Sequence, residues 1–173
     1  MKSEKELNLI KKCFKVLSIG LTFAVFYSLF IVASPWMNIG VSVEVLTVYW
    51  AIVKFILGGG IICYYNAIKE PKIGFAGVFM LTSAIFSIFP INGFLTLAVE
   101  ALAISSLSLI LFDLNKLFPG LRLSVAAGLI FLGVIFSILN NPLMLSLAGF
   151  TWLFGFLVAG NRVGVLSKLR MEN

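Results

Sequence analysis

Apolar runs of about 20 residues recur along almost the whole 173-residue chain, and no other feature limits its fold as much. A helix of that length is what crosses the hydrocarbon core of a bilayer, about 30 Å thick. Charged residues are only 12% of the chain, about half the share found in soluble domains, so water is not the solvent for most of the surface. The runs cover residues 16–34, 46–68, 73–90, 93–113, 123–140 and 143–161, each bounded by Pro, Asn, Gly or charge. They are near-continuous rather than alternating in polarity, which predicts helices and not the strands of a membrane barrel. The expected fold is all-α: a polytopic membrane protein of six transmembrane helices.

The basic start, MKSEKELNLIKKCFK, looks like the opening of a signal peptide, but the apolar stretch behind it continues over residues 16–34 without a cleavage site and is kept as a span. The chain therefore divides into a basic amino-terminal segment (1–15), a six-helix membrane domain (16–161) and a basic carboxyl-terminal tail (162–173).

The net charge of +6 is distributed along the chain rather than massed on one segment, so it reads as a topology signal, with attraction to anionic headgroups second and no nucleic-acid partner implied. Lys2, Lys5, Lys11, Lys12 and Lys15 precede the first span, Lys69 and Lys72 follow the second, Lys116 and Arg122 follow the fourth, and Arg162, Lys168 and Arg170 follow the sixth. Six crossings put all four groups on one side. The opposite connections, 35–45, 91–92 and 141–142, hold no Lys or Arg, so both termini are expected in the cytoplasm and the chain in the plasma (inner) membrane. Trp36, Tyr49 and Trp50 then lie near the outer interface and Tyr64 and Tyr65 near the inner one. The one sizeable outer loop, PWMNIGVSVEV, carries Glu44, which with Trp36 and Trp50 makes a candidate outer mouth. Cys13 and Cys63 sit near the inner ends of the first two spans, without metal-ligand spacing, and are expected to be reduced and inert.

Three segments repeat a pattern: VFYSLFIVASP (25–35), AIFSIFP (84–90) and VIFSILNNP (134–142) each end an outward-going helix with an aromatic, a serine and a proline turn. AGVFML (76–81) and AGLIFL (127–132) repeat at an offset of about 50 residues. The pattern predicts three tandem helical hairpins inserted the same way, a parallel repeat about the membrane normal; chance matching among apolar helices is the competing explanation. On these hairpins, the glycines Gly58, Gly59 and Gly60 and the turns SPW, FPI and NNP, the chain resembles the HdeD-like short-repeat membrane proteins over roughly residues 16 to 161. That resemblance implies a small six-span protein of the kind associated with acid resistance in enteric bacteria, and it supplies no site residues.

Two ionisable residues lie inside the apolar runs. Lys54 is eight residues into the second and Glu100 seven past Gly93 in the fourth, which puts both roughly 10 to 12 Å below the outer surface at about 1.5 Å per residue. A charge at depth costs about 2.5 to 3.5 kcal/mol on insertion scales. Matching depth on two outside-to-inside helices makes an ion pair one solution; Lys54 snorkelling outward while Glu100 is protonated or faces a cleft is another. A proton or cation site at Glu100 is the third. Thr96, Ser105, Ser106 and Ser108 on the fourth span suit close packing first and a narrow polar path second. The three glycines thin the second span for a neighbour or a kink, and Trp152 is expected to be packed with an acceptor for its indole.

With no histidine, no cysteine cluster and one deep carboxylate, the chain lacks the parts of a haem, zinc or paired-carboxylate site, and no serine sits in a nucleophile elbow. No catalytic residue, metal or cofactor is expected. The first expectation is a non-enzymatic multi-span protein, stress-related or an accessory subunit of a membrane assembly, with lipid, a second copy or a membrane protein as partner. The alternatives are a solute-binding subunit similar to the S components of energy-coupling-factor transporters and an oligomeric proton or cation channel using Glu100.

Overall fold

The computed structural model describes residues 4–33, 42–89, 92–139 and 141–168. Six α-helices account for nearly all of them: α1 (Glu4–Ala33), α2 (Val43–Ile68), α3 (Pro71–Ile88), α4 (Gly93–Leu117), α5 (Leu123–Ile138) and α6 (Pro142–Lys168), with a 3-10 turn at Pro119–Leu121 before α5. Five are long and apolar enough to cross a membrane; α5, at 16 residues, is shorter, about 24 Å at the helical rise.

Local chemistry sets the helix starts. Ser42 accepts a hydrogen bond from the Val45 amide, Asn92 from that of Phe94 and Asn141 from that of Leu143, so a polar side chain satisfies an otherwise orphaned amide at the start of α2, α4 and α6. Pro71 opens α3, where its missing N–H costs nothing. At the other end, Lys69 closes α2 and Arg122 precedes α5 in left-handed backbone, φ 61° and 51°, a conformation that favours glycine. Two α-helices outrun the apolar runs that predicted them: α1 begins at Glu4 within the basic segment, and α6 continues past 161 to Lys168.

Each helix packs on its neighbours in sequence, and α6 packs on α1, closing a ring. The ring does not single out the expected hairpin pairs, because α2 lies against α3 as extensively as against α1 and the broadest contact joins α1 to α6. Phe14, Leu57, Met80, Leu107, Ile130 and Phe156, one from each helix, are buried in a common core. Large apolar side chains also cover the outside, among them Leu29, Ile52, Phe75, Leu109, Phe131 and Phe154. An apolar exterior around the whole bundle is the surface an integral membrane protein presents to lipid, and far more than a soluble monomer exposes.

Small residues set the spacing. A Cβ on Gly58 would meet Leu81 of α3 at 2.8 Å and one on Gly60 the Leu17 backbone of α1 at 3.1 Å, while Gly59 faces open space; two of the three glycines thus admit neighbours on opposite sides of α2. Trp152 is buried and its indole donates to the Ile130 carbonyl at 3.1 Å. The serines of the repeated motif, Ser28, Ser87 and Ser137, each donate to a carbonyl of their own helix, at Ala24, Ser83 and Val134.

One expectation is corrected. Cys13 and Cys63 are joined in a disulfide between α1 and α2. Fifty residues of separation concealed that these antiparallel helices bring both thiols to one level.

A saturated ion-pair cluster between three helices

The amino-terminal half of α2 turns Trp50 and Lys54, four residues apart, toward α4, since i and i+4 share a helical face. Lys54 is fully buried, and its ammonium lies 2.8 Å from Glu100 Oε2. The same Nζ donates to Ser83 Oγ at 3.1 Å, to the Ser83 carbonyl at 3.3 Å and to Ser87 Oγ. The other carboxylate oxygen, Glu100 Oε1, accepts the Trp50 indole N–H, while Ser83 Oγ lies 3.5 Å from Oε2. Three helices, α2, α3 and α4, therefore meet at one pair of opposite charges.

The aromatic wall is built from α1 and α6. Tyr27 stacks on Trp50 with ring centroids 4.2 Å apart and planes 7° from parallel, and Phe156 approaches the indole at a tilt, 6.4 Å between centroids. Lys54 Nζ lies 5.5 Å from the indole centroid, within cation–π range. The low-dielectric wall strengthens every hydrogen bond it encloses and raises the cost of any donor left unpaired.

Chemically, the cluster is nearly closed on itself. An ammonium has three protons, and four acceptors surround this one. Glu100 is less enclosed, with its side chain 23% exposed. One turn outward on the same face, Thr96 Oγ1 is buried with no hydrogen-bond partner among the described residues. Two of the other hydroxyls named on the fourth span bond within their own helix: Ser106 donates to the Leu102 carbonyl and Ser108 to that of Ile104.

Of the residues singled out from sequence, Lys54, Glu100 and Trp50 are brought together. Glu44 is exposed in the first turn of α2, away from the cluster, and Trp36 lies outside the described residues. Sequence reasoning did not place Ser83, Ser87 or Tyr27 here. Ser87 did carry a signal, as the serine of the AIFSIFP repeat, and Ser83 lies one turn before it on the same face. Compared with known proteins, the chain matches no family model, no curated protein and no solved structure.

Proposed function

We propose that this chain is a non-enzymatic, six-span protein of the plasma membrane, with both termini in the cytoplasm, which acts through its packing as an accessory subunit of a membrane assembly. The observation that carries the reading is the self-sufficiency of the Lys54–Glu100 pair: its ammonium is surrounded by protein acceptors and one carboxylate oxygen is held by Trp50, leaving the charges committed to holding α2, α3 and α4 together. Such a pair avoids the cost of two isolated charges rather than adding net stability, and it specifies one arrangement of helices. The distribution of Lys and Arg supports the orientation, and the apolar run at 123–140, in which α5 lies, supports a sixth crossing. The resemblance to HdeD-like proteins adds protection of the membrane under stress as the physiological setting.

A second reading, solute or proton binding at Glu100, is favoured by its partial exposure and by the unpartnered Thr96 hydroxyl beside it. Reconstitution into proteoliposomes separates the two. The structural role predicts no saturable solute uptake and no proton flux that depends on Glu100; either activity, lost in Glu100→Gln while the protein remains folded, would overturn it.

A further inference from the structure

Where the middle of α1 lies against the carboxyl-terminal part of α6, the pair opens into a groove of about 760 Å³, lined by Lys15, Ser18, Thr22, Asn161, Gly164 and Lys168 among others. Its hydroxyl protons are committed. Ser18 donates across the groove floor to the Gly160 carbonyl at 2.9 Å, and Thr22 donates to the Ser18 carbonyl at 2.9 Å. Among the described residues, neither the Lys15 and Lys168 ammoniums nor the Asn161 amide has a hydrogen-bond or ion-pair partner, and no carboxylate lines the groove. What remains open is three donors, two of them cationic, converging on one concavity.

A second cavity, across the ring, shows the contrast. The space of about 680 Å³ between α3 and α4 also holds two lysines, but Lys72 is paired to Asp113 at 2.6 Å and to Glu70 at 2.9 Å, and Lys116 to Asp113 at 3.1 Å. That cavity is internally neutralised; the one between α1 and α6 is not.

The level of the groove names the chemistry of its occupant. The apolar run of α1 begins directly after Lys15, and that of α6 ends at Asn161, so the donors stand where both helices leave hydrocarbon for headgroups. From Lys15 toward the hydrocarbon, exposed Ile19 continues the groove along α1 as an apolar track. We propose that this groove binds one anionic phospholipid, its phosphodiester held by Lys15 and Lys168 and an acyl chain laid along Ile19. The proposal rests on the membrane-inserted reading above and not on which side the termini occupy.

The test uses the full chain, purified in mild detergent and loaded in turn with phosphatidylglycerol and phosphatidylcholine, with retained lipid counted by native mass spectrometry. The expected result is one phosphatidylglycerol retained in preference to phosphatidylcholine. Combined Lys15→Gln and Lys168→Gln should weaken retention roughly 30-fold, from two cationic contributions of ordinary size. Gly164→Leu, which fills the groove and keeps every charge, should weaken it as well, while combined Lys72→Gln and Lys116→Gln should not. Equal retention of the two lipids, or an unchanged lysine double variant of native helicity, overturns the proposal. So does complete displacement by inorganic phosphate, which would make this a free-anion site. Failure of the membrane reading is distinguishable, because the chain would then stay monodisperse without detergent.

Discussion

Lys54, in the amino-terminal half of α2, is wholly buried and meets a carboxylate, two hydroxyls and a carbonyl, whereas Lys15 on α1 and Lys168 at the end of α6 meet no acceptor among the described residues. The same ammonium is tolerated in both surroundings for different reasons. In the low-dielectric core an unpaired donor costs too much, so three helices supply its acceptors. At the level of the headgroups water screens the charge, and donors can stay open for a partner that is not part of the chain. Saturated polar groups fix an architecture; unsaturated ones at an interface recruit.

Breaking the saturated cluster should give the largest effect. Glu100→Leu strands a buried ammonium and is expected to cost about 3 to 5 kcal/mol, read as a lowered denaturation midpoint in detergent. Lys54→Met should cost less, because the remaining carboxylate is partly exposed and can hydrate. The double variant should cost less than Glu100→Leu alone. Losses that simply add would mean the two side chains are not coupled.

Next in size is packing along α6, where two glycines sharpen the contrast. A Cβ on Gly149 would lie 2.8 Å from the Val32 backbone nitrogen of α1, while one on Gly160, beside the groove, would find only ordinary contacts at 3.5 Å and beyond. Gly149→Ala is therefore expected to lose about 1 to 3 kcal/mol by overpacking and Gly160→Ala close to nothing; equal thermal shifts would refute the difference in closeness.

Trp50→Phe keeps an aromatic ring against Tyr27 but removes the indole donor to Glu100. A loss of about 1.5 kcal/mol is expected, the usual size for a hydrogen bond to a charged group, and a neutral outcome would show that the carboxylate finds another donor. Lys69→Gly should raise stability by roughly 0.5 to 1 kcal/mol, since glycine adopts the left-handed backbone at φ 61° without strain. The smallest change belongs to the groove: combined Lys15→Gln and Lys168→Gln should shift stability in lipid-free detergent by no more than about 0.5 kcal/mol, despite its expected effect on lipid retention.

Much of the helical layout was legible in the residues. Apolar runs mark where the chain avoids water, and five of the six runs correspond to helices long enough to span. Helix ends were less legible, because Lys, Glu, Leu and Arg are good helix formers and carry α1 back to Glu4 and α6 on to Lys168 after the apolar signal has stopped. Lys54 and Glu100 stood out by their cost and matched by depth, but their partners on α3 did not, since Ser83 and Ser87 are ordinary packing residues until a third helix is set beside the pair. The Cys13–Cys63 link was hidden for the same reason: proximity across a helix interface is a property of the folded ring and leaves no trace in spacing.

That ring closes by joining the first helix to the last, and its broadest internal contact is the final one to become available. A ribosome releases α1 long before α6 exists, so the face that carries Ser18 must wait among lipids or helper proteins until α6 has emerged. A transcript cut short ahead of Gly149 would yield a product with an orphaned opening segment, which membrane proteases are equipped to recognise.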